Sequence, residues 1–154
     1  MPADVFPIKT TLPLEKARVM IAEALAEGRR QKLQPLTVVV VDTGGHVISM
    51  DREDGSGILR ADVARGKAVA SLGIGISSGT IGARNKGRDA FLSGVAAASD
   101  GRFIPVGGGV LVLDEQRHVI GAIGASGDTS DADEACVVAG VRAAGYEPGL
   151  DAAS

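Results

Sequence analysis

The stretch VVVVDTGGHVI, Val38 to Ile48, is matched further along the chain by VLVLDEQRHVI, Val110 to Ile120. Each runs through apolar residues to an Asp, crosses three polar or Gly residues and leaves through His, Val and Ile. Four consecutive valines are too few for a typical helix and strongly β-branched, so the first run is a strand buried on both faces. Asp42-Thr43-Gly44-Gly45 supplies turn chemistry, and HVISMD is the return strand of a hairpin. VLVLD, the DEQRH turn and HVIGAIGASG make a second hairpin. The only two histidines, His46 and His118, stand at the same point of each. A metal pair would need a third ligand nearby and rings facing one site. Each follows its own turn instead, which favours turn-flanking side chains at polar hairpin ends.

Helical periodicity surrounds the hairpins. From about Pro13 to Gly28, Leu14, Ala17, Ile21 and Leu25 recur at helical spacing, and Pro13 suits a first turn. A second helix is expected from about Ile58 to Leu72, with Leu59, Val63, Gly66 or Lys67, and Ala70 along one face. One or two short helices broken at Gly87 are expected between Gly73 and Gly101. RFIPVGGGVLVLD is β-rich, with Pro105 tolerable at an edge or strand start and Gly107-Gly108-Gly109 marking a bend or close backbone approach. The last helix opens with Asp131 as N-cap and Glu134 three residues on, a capping-box spacing. Its small stripe of Cys136, Ala139, Gly140 and Ala143 can lie close against a sheet. The order is that of an α+β domain, with about five antiparallel strands and helices on both faces. No linker divides it, so residues 1–154 read as a single domain.

Composition narrows the function. The 154 residues are 45% hydrophobic with a net charge of −3, and no basic stripe offers itself to nucleic acid or anionic lipid. With no Trp, one Tyr and three Phe, few platforms exist for stacking bases. No apolar window reaches bilayer length and the N-terminus lacks a signal pattern, so a cytoplasmic protein with no membrane partner is expected. The lone Cys136 agrees with a reducing compartment.

Familiar motifs fail on spacing. GIGISSG, Gly73 to Gly79, follows a helix where a dinucleotide fingerprint needs a strand. Gly66-Lys67 lacks the rest of a phosphate-binding loop, and GASG around Ser126 has neither the nucleophile spacing nor a base. Asp128, Asp131, Asp133 and Glu134 miss the calcium-loop spacing. What remains is convergence: the Gly107-Gly108-Gly109 turn, the Ser126-Gly127-Asp128 loop and the start of the last helix are element ends, where backbone N–H groups can receive an anion or carboxylate. Lys67 lies within an otherwise apolar helix face. It can pair with Glu134 or Asp133, hold a ligand carboxylate, act as a base, or serve as a snorkelling or structural cation.

VVVVDTGGHVISM, ARGKAVAS, GRFIPVGGGVLV and GAIGASGDTSDADEACVVAG together resemble the GlcG/HbpS family of haem-degrading or PduO C-terminal-like domains (DUF336), from about Pro13 to Gly145. The resemblance implies a profilin-like three-layer α/β/α fold with a central five-stranded antiparallel sheet, a homo-oligomer, and haem or tetrapyrrole binding with haem degradation in some members. Lys67, Gly108, Gly109, Asp133 and Glu134 match its pattern. The haem ligand varies across the family, and the one Thr in the region where a Thr ligand would be sought, Thr80, does not match. A single imidazole suffices as a proximal ligand, which leaves His46 or His118 open for that role. Two further readings stand beside haem. One is an isomerase, hydrolase or lyase of small-molecule catabolism, with Lys67 and Glu134 as acid/base pair and Phe103, Gly107, Gly108, Gly109, Ser126, Asp128 and Asp133 around a carboxylate-bearing ligand. The other is an assembly or sensing partner acting through its oligomer surface.

Overall fold

The computed structural model describes residues 4–151. In chain order the elements are α1 (Leu14–Arg30), β1 (Thr37–Val41), β2 (Val47–Arg52), α2 (Arg60–Ile74), α3 (Ser78–Arg84), α4 (Asp89–Ala98), β3 (Gly109–Leu113), β4 (Val119–Ser126), α5 (Ser130–Ala143) and β5 (Glu147–Gly149). The strands form one sheet in the order β2-β1-β4-β3-β5, antiparallel at every neighbour. The two hairpins meet along β1 and β4, so β1 is interior and wholly buried while β2 is an exposed edge.

The matched sequence stretches fold into matched turns. Asp42 N donates to His46 O at 2.9 Å, and Asp114 N to His118 O at 3.0 Å. Asp42 Oδ1 accepts from Gly44 N and His46 N, and Asp114 Oδ1 from Gln116 N and His118 N, all at 2.8–3.0 Å. The residue before each His has positive φ, 82° at Gly45 and 62° at Arg117. A register shift follows beside each turn, at Val40/Val41 and Val112/Leu113. The repeated Asp-x-x-x-His pattern therefore encodes a turn closed by its own Asp side chain. From the strand registers, both turns lie at one end of the sheet, and Thr37, Gly109 and Ser126 lie at the other.

Alternation along the valine run divides the core. Val38 and Val40 face α1 and α5, where Met20, Ile21, Val137 and Val141 pack with Val110 and Ile123. Val39 and Val41 face α2, with Ala64, Ala68, Leu111 and Ala122. This is the α+β, three-layer α/β/α arrangement implied by the resemblance. The α2 layer comes unusually close because Gly109 and Gly124 are register partners. A Cβ on Gly109 would strike Lys67 O, and one on Gly124 would strike Ala64 O. The glycines form a floor on which the α2 backbone rests.

Several expectations need correction. Thr129, not Asp131, caps α5: its Oγ1 accepts from Ala132 N at 3.3 Å, and Asp131 already lies in the first turn. The small stripe of α5 is rotated from the one expected, because Val137 and Val141 take the core, Ala143 is exposed, and Gly140 makes its closest approach to Met20 O of α1 rather than to the sheet. Leu59 precedes α2 and is 68% exposed, so it lies outside the helix face that packs on the sheet. Residues Arg102–Gly108 are irregular, so Pro105 precedes the strand. The sequence reading located no fifth strand. It is Glu147–Gly149, a three-residue edge where Pro148 is tolerated. Among the described residues no helix is long and apolar enough to cross a membrane.

Candidate functional site

The end of the sheet away from the turns is closed by Lys67. Its side chain leaves α2, and Nζ donates to Ala125 O at 2.9 Å and to Asp133 Oδ2 at 3.2 Å. Lys67 is 3% exposed and Asp133 1%. Asp133 belongs to α5 in the opposite helical layer, so the ion pair runs past the sheet and joins its two faces. Gly108 leaves the passage: its φ is 127°, and a Cβ there would lie 2.8 Å from Lys67 Nζ and 3.0 Å from its Cδ. Asp133 Oδ1 accepts from Asp128 N at 3.0 Å, so both carboxylate oxygens are engaged. Burial pulls the Lys67 pKa below its ordinary value, Asp133 opposes that shift, and Arg60 reinforces it.

The neighbouring polar groups expected at a ligand site have internal partners. Gly109 N donates to Ser78 Oγ at 2.8 Å, and Ser78 Oγ contacts Val106 O at 2.6 Å. Buried Ser126 accepts from Arg60 Nη1 at 3.1 Å. Asp128 binds Gln34 N through Oδ2 and Thr129 N through Oδ1, both at 2.8 Å, and these bonds hold its carboxyl below the ordinary range. Phe103, 5% exposed, packs with Ala70 and Ile81 under α4. Sequence reasoning missed Ser78 and Arg60. A Ser at a helix start gives no sign in sequence that it will serve a strand 31 positions away.

Glu134 stands apart from Lys67. It lines an open depression of about 520 Å³ with Gly79, Thr80, Arg84, Gly107 and Asp131. No hydrogen bond or ion pair to its carboxylate forms among the described residues. Burial raises its pKa, and Asp131 beside it adds to the rise. A half-buried carboxyl so placed keeps its proton to higher pH than a free one, and in its charged form can receive a cationic group. The structure thus brings Lys67, Gly108 and Asp133 together, and places Glu134 with Gly107 in a separate hollow.

Cys136 is fully buried, and burial, with Asp133 the next cause, pushes its thiol up to about 11. It cannot supply a thiolate at neutral pH. A thiol reagent at pH 7 is expected to label the native protein about a thousandfold or more slowly than the denatured chain, because reaction waits on opening. Fast native labelling would show an accessible cysteine.

At the turn end of the sheet, residues 8–14 lie beside the first hairpin. Ile8, Lys9, Leu14, Asp42, His46 and Ile48 line a depression of about 480 Å³ there. His46 Nδ1 lies 3.4 Å from Asp42 Oδ1, and its side chain is 77% exposed. His118, on the matching turn, is exposed as well.

The HbpS-like family of haem-degrading proteins matches the sequence over residues 12–142. The chain belongs to this family. Among solved structures, this HbpS-like chain is similar in fold to Klebsiella pneumoniae protein ORFY, a DUF336 protein, with a TM-score of 0.79 at 23% identity over 94% of this chain and 97% of that one. It is similar to a PduOC:heme complex with a TM-score of 0.79 at 18% identity, over 90% of this chain and 99% of that one. A double mutant of Streptomyces reticuli HbpS gives 0.73 at 21% identity, over 92% of each chain. No curated protein matches the HbpS-like sequence.

Proposed function

We propose that this HbpS-like chain binds haem. The observation that carries the proposal is the family match across residues 12–142, and the fold shared with PduOC, solved with heme, supports it. The donor set of the chain fits the group. A haem iron takes imidazole, thiolate, thioether or phenolate ligands. Cys136 and Met20 are buried and Tyr146 is half-buried against the core, whereas Met50 is exposed and His46 and His118 both present an imidazole to solvent. Bound haem would supply an iron centre for ligand binding or redox chemistry, while the protein would orient it and limit water at its face.

Titrating purified protein with hemin is expected to shift the Soret band with one-to-one saturation at micromolar concentration. A spectrum indistinguishable from free hemin would refute haem binding. Haem degradation is the further step that the family description supports. Loss of the Soret band under ascorbate and oxygen, with ferrous iron caught by a chelator, is expected to exceed that of hemin alone. We also read the chain as a cytoplasmic homo-oligomer that takes a small-molecule ligand. The lone buried thiol favours a reducing compartment, and the exposed Val5 and Phe6 favour self-association. Light scattering reads the oligomeric state.

One observation favours a catabolic enzyme as a second reading, namely the raised carboxyl of Glu134 in its own hollow. There Glu134 would work as acid or base, and Lys67 would hold the end of α5 through Asp133. Turnover of a carboxylate-bearing substrate that vanishes in Glu134→Gln, with the Soret titration unchanged, would establish this reading beside haem binding.

A further inference from the structure

We propose that His46 is the axial ligand of the haem, and that the depression between residues 8–14 and the first hairpin turn is its seat. The inference rests on the haem reading above and adds the place and the ligating atom.

The two matched turns provide an internal comparison. Their backbones make the same hydrogen bonds, yet their histidines differ in what surrounds them. In the first turn, a Cβ on Gly44 would lie 2.9 Å from His46 Nδ1 and 3.3 Å from Asp42 Oδ1. The imidazole thus folds back over residue 44 toward the Asp42 carboxylate because that residue is Gly. In the second turn Gln116 stands at the corresponding place, so a side chain fills that space. His46 Nδ1 therefore comes to 3.4 Å from Asp42 Oδ1. Asp42 Oδ1 is itself fixed by Gly44 N and His46 N. A carboxylate beside Nδ1 favours the tautomer protonated there, which leaves the lone pair on Nε2 for a metal. Carboxylate, imidazole and metal in series form a common arrangement at protein metal sites.

The hollow beside His46 has the character that a porphyrin needs. Ile8, Leu14 and Ile48 line it, with Ile8 92% and Leu14 44% exposed, so apolar surface there lies open to water. Covering such surface removes it from water and stabilises a complex. Lys9 on the same wall supplies a cation for a propionate. The size, about 480 Å³, falls in the range of cofactor sites, about 300–1,000 Å³. His118 lines no part of this hollow. Among the described residues the one other exposed soft donor, Met50, lies in a separate depression with Arg29 and Arg52 and lacks an imidazole's affinity for ferric iron.

Hemin titrations of full-length His46→Ala, His118→Ala and Met50→Leu, read by Soret absorbance and by electron paramagnetic resonance of the ferric form, test the assignment. Circular dichroism confirms that each variant is folded. His46→Ala is expected to lose the wild-type Soret maximum and ferric signal and to bind about tenfold or more weakly, while the other two keep wild-type spectra. His46→Gly is expected to regain the wild-type signature when imidazole is added. A wild-type spectrum from His46→Ala, or loss of the spectrum in His118→Ala or Met50→Leu instead, would overturn the assignment and leave haem binding intact. Failure of the unmodified protein to shift the Soret band would overturn both.

Discussion

Lys67→Met is expected to destabilise the protein by about 3–5 kcal/mol, because it removes one partner of a buried ion pair and leaves Asp133 charged without a counterion. At about 2–4 °C per kcal/mol for a chain of this size, the melting temperature should fall by roughly 10 °C or more. The effect should exceed that of a surface pair such as Arg117 with Glu147, which solvent screens. Asp133→Asn separates charge from packing, since its side-chain oxygen can still accept from Asp128 N. The Lys67→Met/Asp133→Asn protein is therefore expected to be more stable than Lys67→Met alone. Strictly additive losses would mean that the two side chains do not interact energetically.

The Lys67 shift also has a definite sign. Burial depresses its folded pKa below the ordinary 10.5, so between those two values the unfolded chain binds more protons than the folded one. Stability contributed by this group therefore rises with pH across that window. The rise should be missing from the stability profile of Lys67→Met itself. A wild-type profile that falls instead would indicate that Asp133 outweighs burial.

Gly124→Ala is expected to be comparably damaging. Its new methyl group would meet Ala64 O, Ala64 C at 3.0 Å and Ala68 N at 3.2 Å, all backbone atoms of α2. Backbone cannot rotate aside as a flexible side chain can, so the helix must lift from the sheet. Overpacking costs typically about 1–3 kcal/mol, and a rigid obstacle puts this case at or above the top of that range. Lifting α2 also pulls Lys67 away from Asp133 and Ala125, so the two losses are coupled. Gly73, on the exposed end of the same helix, meets nothing within 4 Å. Gly73→Ala should stabilise by about 0.5–1 kcal/mol through helix propensity. Equal effects at the two positions, read by urea denaturation, would contradict the close-packed floor.

The sheet was legible in sequence because hairpins are local. A valine run, a turn-forming Asp and a return strand lie within a dozen residues, and each carries its own instructions. The three-residue β5 has no such signal, since Glu147–Gly149 becomes a strand only by lying along β3. The site was legible in part. An Lys on an otherwise apolar helix face marks a group needing a buried partner, and the residues around Asp133 were the right place to seek it. The choice between Asp133 and Glu134 depends on helix rotation, and Thr129 fixes that rotation by capping α5 earlier than Asp131 would. The two histidines show the opposite limit. Their sequence likeness identified the shared turn correctly. The difference in their surroundings comes from residues 8–14, which the strand pattern does not place, and from Gly44 standing where the second turn has Gln116.

Diffraction at the iron absorption edge from crystals grown with hemin tests haem binding and its location together. We expect one anomalous peak per chain, within coordination distance of His46 Nε2, with the porphyrin against Ile8, Leu14 and Ile48. An iron peak on any other side chain, or crystals of the hemin-treated protein that contain no ordered iron, would contradict that expectation.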